Sequence, residues 1–175
     1  MNLPQMKGGL SIDVVAQEVA IYVRGAQVYS RATRAVDATA TDYRSYGLHF
    51  NTLSGSRFIL WADRDGSVTR DKINPDYNYN VTDGAAIETY DLPKGFMIFK
   101  VLKYCNQSPV VATRADIVFT IPDPEANFVA DGTSCTITSL GLCLKSPNFA
   151  QYRLIKTFNN GQISVENPSV SGECN

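Results

Sequence analysis

Residues 10–34 read LSIDVVAQEVAIYVRGAQVYSRATR, a run with one glycine and no proline. Apolar side chains recur at Ile12, Val15, Val19, Tyr22, Ala26 and Tyr29, steps of three or four that trace one stripe of a helix. Val14, Ile21 and Val28 are expected to widen that stripe, while Gln17, Arg24, Gln27, Arg31 and Arg34 are polar. Ser11 suits the cap position, and Asp13 suits the positive end of the helix dipole. The pattern predicts an amphipathic helix from about residue 10 to about residue 35, roughly seven turns long. Its core face is Ile12, Val15, Val19, Tyr22 and Ala26. Water satisfies only one side of such a helix, so the rest of the chain must cover the other.

Beyond Asp37 the pattern changes to β. Residues 43–50 alternate Tyr46, Leu48 and Phe50 with Gly47 and His49, and residues 57–62 (RFILWA) form a short apolar run ended by Asp65-Gly66. Further strand-like runs cover 86–90, 96–103, 116–121, 152–158 and 162–166. Asn160-Gly161, between the last two, is a strong hairpin signal. Proline-containing loops at 93–95 and 122–124 separate the runs. Residues 67–84, rich in Asp, Asn and Tyr, read as a long excursion, and no internal repeat is visible. One helix followed by many strands predicts an α+β fold, with a long N-terminal helix lying on an antiparallel sheet. The 175 residues suit a single domain, 1–175, with the helix at about 10–35 and a β-rich part at about 43–175.

With 44% hydrophobic residues the chain buries a core and is not a disordered segment. Sixteen Lys+Arg against seventeen Asp+Glu leave a formal net charge of −1, which argues against a nucleic-acid partner. No run of about 18 apolar residues is available to cross a membrane. Met1 to Leu10 (MNLPQMKGGL) has no apolar stretch of the signal-peptide kind.

The four cysteines, Cys105, Cys135, Cys143 and Cys174, contain no C-x-x-C pair, and His49 is the sole histidine. Two disulfides in an oxidising compartment fit better than a zinc site. Four cysteines allow three pairings. The short separation of Cys135 and Cys143 predicts that they close a hairpin-like loop around Leu140-Gly141, leaving Cys105 to hold Cys174 at the C-terminus.

Catalytic patterns are absent: there is no G-x-S-x-G, no H-E-x-x-H and no phosphate-binding glycine loop. His49 lies in a strand-like run, and Ser54-Gly55-Ser56 reads as a hairpin turn. Asp63, Asp65 and Asp71 are weak candidates for Ca²⁺, because Gly66 stands fourth in that loop and a Ca²⁺-binding EF-hand needs glycine at the sixth position. No cofactor is implied. The Asn80-Val81-Thr82 sequon carries no weight alone.

The order of segments resembles a known family. IDVVAQEVAIYVRGAQVYSRATR is similar to the exposed half of a pilin helix, as in the H-type pseudopilins of type II secretion and the related minor pilins of type IV pili. Tyr46-Gly47-Leu48-His49-Phe50, then Phe58-Ile59-Leu60-Trp61-Ala62-Asp63 with Asp65-Gly66, resembles the family's "YGvhF … FilFaD.(N/D)G" core. Asp116-Ile117-Val118-Phe119 with Pro122-Asp123-Pro124-Glu125-Ala126 resembles its "l-x-i-x-F-x-x-P-(N/D)-P-(D/E)-A" segment. Asn160-Gly161-Gln162-Ile163-Ser164-Val165 resembles its closing hairpin. The family's basic leader and apolar half-helix have no counterpart here, and Lys7-Gly8-Gly9-Leu10 is not its cleavage motif. The resemblance therefore implies a soluble domain whose anchoring half-helix has been removed, with the first turns of the remaining helix protruding.

It also implies a structural, non-enzymatic subunit of a type IV pilus or a secretion pseudopilus. Its partners would be other pilin subunits, and its only membrane contact the missing segment. It would sit outside the cytoplasm, in a cell-surface filament or the periplasm, anchored in the inner membrane before assembly. Arg24, Arg31 and Arg34 would then offer filament contacts. The alternative is a secreted β-rich binding or adhesin module using the Asp63–Asp71 loop with Ca²⁺.

Overall fold

A computed structural model describes residues 11–31, 45–63, 84–105, 108–120, 125–132, 135–147, 151–168 and 173–174. The chain opens with helix α1 (Ile12–Arg31). Strands β1 (Ser45–Asn51) and β2 (Arg57–Asp63) follow, joined by a 3-10 turn at Thr52–Ser54. Next come β3 (Gly84–Asp91), β4 (Met97–Cys105), β5 (Ser108–Ala112), β6 (Arg114–Thr120), β7 (Ala126–Ala130), β8 (Ser139–Lys145), β9 (Tyr152–Phe158) and β10 (Ile163–Glu166). They form two five-stranded antiparallel sheets, in the orders β3-β2-β1-β6-β7 and β10-β9-β8-β4-β5. The helix touches β1 and β6 of the first sheet and β8, β9 and β10 of the second.

One core unites all three layers. Ile12, Val15, Val19 and Val23 of the helix meet Leu48, Phe50, Phe58, Leu60, Ile117 and Phe119 of the first sheet. They also meet Ile98, Val101, Leu140, Leu142, Leu144 and Ile155 of the second. The expected α+β fold, a long helix laid on an antiparallel sheet, is therefore corrected. The described residues are predominantly β, with ten strands and a single helix of 20 residues that spans two sheets.

The correction has a physical cause. β8 (SLGLCLK) is buried at Ser139 through Leu144, so it shows none of the polar alternation that marks a half-exposed strand. Leu140, Leu142 and Leu144 point into the main core. Cys143 packs on the opposite face with Leu102, Tyr104, Leu154 and Cys174. β5 contains Pro109, which is tolerated because β5 is an edge strand paired only with β4.

The same strand overturns the expected disulfides. The bridges are Cys105–Cys135 and Cys143–Cys174, with Cα–Cα distances of 5.9 and 5.6 Å. The Cys135–Cys143 loop does not form: β8 is extended from Ser139, and at about 3.3 Å per residue this sets Cys143 about 13 Å along the strand. Cys143 is thereby carried to mid-sheet, where the C-terminal Cys174 covers it. Cys105, at the end of β4, is left beside Cys135.

The helix start is likewise not a protruding turn. Ile12 is only 2% exposed. Asp13 accepts hydrogen bonds from Arg153 of β9, Nε to Oδ1 at 2.6 Å and Nη2 to Oδ2 at 3.1 Å. The expected extension of the helix to about residue 35 falls outside the described residues.

Two further contacts join the sheets. Gly55, in the β1–β2 turn, accepts a hydrogen bond from the Ile98 backbone N–H of β4 at 2.8 Å. A Cβ there would collide with the Ile98 carbonyl, so the close approach requires glycine. Lys103, 1% exposed, reaches from β4 to donate to the Asp131 carbonyl beyond β7 at 2.8 Å. Its charge is thus taken up by a fixed backbone dipole.

Candidate assembly surface

The helix presents two apolar lines. The inner one contains Ile12, Val15, Val19 and Ala26 of the expected core face, joined by Ala16, Ala20, Val23 and Ser30, all buried. Tyr22 is half-buried at the margin, with its ring 5.4 Å from that of Phe58 and 3.7 Å from that of Tyr90. Burial first, and then the carboxylates of Glu18 and Glu88, raises its hydroxyl above the ordinary tyrosine range.

The second line corrects the expectation that Val14, Ile21 and Val28 widen the core stripe. They are 55%, 64% and 58% exposed. At about 100° per residue, positions seven apart drift by only about 20°, so these three stay in line, roughly opposite the buried stripe. The seven-residue spacing was the available signal. Gln17, Glu18 and Arg24 flank this line and are exposed, as is Arg31 at the helix end. Arg24 and Arg31 therefore lie on the outward side, while Arg34 falls outside the described residues. Gly25, between Arg24 and the sheet-facing Ala26, has open space where a Cβ would be.

Asp13 and Arg153 hold this helix in orientation. Arg153 is 19% exposed and Asp13 61%, so the pair lies at the rim of the second sheet. The hydrogen bonds from Arg153 keep the Asp13 carboxyl below the usual carboxylate range. Nothing in the sequence pattern identifies this partnership, because it joins residues 140 positions apart.

Of the expected metal candidates, only one falls within the described residues. Asp63 ends β2, and Asp65 and Asp71 lie outside the described residues. Among the described residues, no group of three His, Cys, Asp or Glu side chains could hold a metal ion.

His49 belongs to a cross-strand pair. It sits opposite Asp116 in the β1–β6 register, with Nδ1 3.0 Å from Oδ1, and the two side chains are 14% and 3% exposed. Beside it, Gly47 faces Trp61 across β1 and β2, and a Cβ on Gly47 would come within 2.9 Å of the indole. The pair fixes the face of the first sheet that points away from the helix. Its partner in β6 depends on register, which composition and spacing do not reveal. The Ser54-Gly55-Ser56 stretch is the β1–β2 connection, where the Asn51 side chain accepts from the Leu53 N–H at 2.9 Å.

The outer face of the second sheet carries lysines over aromatic rings. Lys156 Nζ lies 3.7 Å from the Tyr104 ring centre, and Lys145 Nζ lies 5.0 Å from that of Phe99. These contacts spread the ammonium charges over buried apolar surface.

The two disulfides place the domain in an oxidising, extracytoplasmic environment. No described helix is long and apolar enough to cross a membrane. No family model, curated protein or solved structure matches the chain.

Proposed function

We propose that this domain is a non-enzymatic structural subunit, a minor pilin or pseudopilin of a type IV pilus or type II secretion pseudopilus. On this reading it reaches a cell-surface filament or the periplasm from an inner-membrane-anchored state. The observation that carries the reading is the two-faced helix. One line of α1 is consumed by both sheets, while Val14, Ile21 and Val28 form a second, exposed line. A monomer gains nothing from apolar side chains held outward on a rigid helix, whereas a subunit packed among neighbours does. Support also comes from the placement of the family-like strings. Residues 46–50, 58–63 and 116–119 lie on β1, β2 and β6, three adjacent strands of one sheet.

Arg24 and Arg31 flank the outward line, where they would meet carboxylates of adjacent subunits in contacts weakened by salt. The test is incorporation into filaments recovered by shearing from cells that make the protein from its own gene. Reversing both arginines to glutamate should lower incorporation at least about tenfold, since like-charge contacts across an interface cost several kcal/mol. It should leave folding nearly unchanged, with a shift below about 0.5 kcal/mol. Normal incorporation would show that the arginines are plain solvated surface. Absence of the wild-type protein from every filament fraction would reject the subunit reading itself.

A further inference from the structure

Two tyrosines meet where α1 passes the edge of the first sheet. Tyr22 of α1 and Tyr90 of β3 stack with ring centres 3.7 Å apart and ring planes 36° apart. Phe58, opposite Tyr90 in the β2–β3 register, backs both rings, its own centre 5.4 Å from Tyr22 and 5.3 Å from Tyr90. Both tyrosines are half-buried, and Glu18 and Glu88 are exposed beside them. We propose that Tyr22 and Tyr90 form an oxidative modification site, where a peroxidase and hydrogen peroxide join the two rings as a dityrosine cross-link.

The carboxylates supply what the oxidation needs. A phenol that loses an electron must also lose its proton, and an acceptor is in place. Tyr90 Oη donates to Glu88 Oε2 at 2.6 Å, a short bond to a charged acceptor. Burial first, and then carboxylates, raise both hydroxyls above the ordinary tyrosine range, and Glu88 acts on both. The hydroxyl ends of the stacked rings therefore lie together, which brings their ortho carbons together as well.

Each tyrosine gives one electron to the peroxidase and its hydroxyl proton to a carboxylate. The two phenoxyl radicals couple through the carbons ortho to oxygen, and one C–C bond forms. The hydrogen displaced from each coupled carbon returns to that ring's oxygen through water, restoring both phenols. Hydrogen peroxide takes up the two electrons and two protons and leaves as two waters. Rings already stacked favour coupling within one chain, even in dilute protein.

The bond staples α1 to β3, an edge strand that is hydrogen-bonded to β2 alone among the described strands. It also closes a long stretch of chain, where a covalent link removes most entropy from the unfolded state. The site goes beyond the subunit reading and does not rest on it. Tyr29 and Tyr46 provide the comparison, with ring centres 6.1 Å apart and Tyr46 only 1% exposed.

The test treats purified protein at low micromolar concentration with peroxidase and hydrogen peroxide, followed by intact mass, dityrosine fluorescence and peptide mapping. The expected product is a monomer lighter by two hydrogen atoms, with Tyr22 and Tyr90 in one linked peptide. Tyr22→Phe and Tyr90→Phe keep the stack and should each lower its yield at least about tenfold, while Tyr29→Phe should leave it unchanged. Treatment should raise the melting temperature of the wild type by about 5 °C or more and leave that of Tyr90→Phe in place. Wild-type protein recovered without dityrosine would overturn the proposal. So would a bond mapped to other tyrosines, covalent dimers in place of the intramolecular product, or a wild-type yield in Tyr90→Phe.

Discussion

Gly55 shows how much one residue can decide. Its backbone φ is −63°, ordinary for any amino acid, so it is not retained for conformational freedom. It is retained because the β1–β2 turn lies directly on the Ile98 carbonyl of the other sheet. Gly55→Ala should therefore cost about 1–3 kcal/mol, the range for overpacking a close contact, measured by denaturant unfolding. Asp13 makes a second residue-scale case. Hydrogen bonds from Arg153 hold its carboxyl pKa in the folded state below the ordinary aspartate value, so the unfolded chain binds the proton more readily. The tether's contribution is thus present above about pH 4 and is lost as pH falls through the lowered folded value. Melting temperature followed from pH 6 to pH 2 should show Asp13→Asn losing stability relative to wild type at the upper end and converging with it at the acid end. Parallel curves would show that the Asp13–Arg153 pair is not formed. Neither residue announces itself in sequence. Gly55 looks like any turn glycine, and Asp13 like any first-turn carboxylate, because their partners are set by tertiary packing.

At the scale of elements, the three-to-four spacing in residues 12–31 marks the helix, and the same spacing picks out Val15, Val19 and Ala26 among the residues it buries. The error lay in treating every apolar residue as core. Val14, Ile21 and Val28 recur every seven positions, and on a straight helix such a line drifts only slowly, so it forms a face of its own. The two faces should respond differently to substitution. Val19→Ala removes two methylene-sized groups from a fully buried position and should cost about 2 kcal/mol, while Val28→Ser should shift stability by less than about 0.5 kcal/mol. Equal costs for both would place Val28 in the core. Strands were legible where one side met solvent or a turn bounded them, as at β9 and β10 around Asn160-Gly161. β8 was not, because Leu140, Leu142 and Leu144 fill one face while Cys143 fills the other, erasing the period of two. Misreading it as a loop also misassigned both disulfides.

At the scale of the molecule, the two sheets and the helix share one core, and each part lends rigidity to the others. Gly55 ties β1–β2 to β4, Lys103 ties β4 to the end of β7, and Arg153 ties β9 to the helix start. The C-terminus is drawn onto the outer side of the second sheet by Cys143–Cys174. These ties leave the helix no freedom to turn its outward line inward. The line is thus a fixed feature of the surface. The compartment was legible from cysteine number and the absence of a zinc pattern, whereas the outward face of the helix was not, since it depends on which side of the helix the sheets take. The most direct measurement is the filament content of Ile21→Arg, made in the native cells from its own gene, beside the melting temperature of the same variant as a purified domain. The expected result is loss of the variant from sheared filaments with melting unchanged, because Ile21 is 64% exposed and touches solvent in the single chain. Wild-type incorporation of Ile21→Arg, with the fold intact, would contradict the claim that this helix face holds the subunit in an assembly.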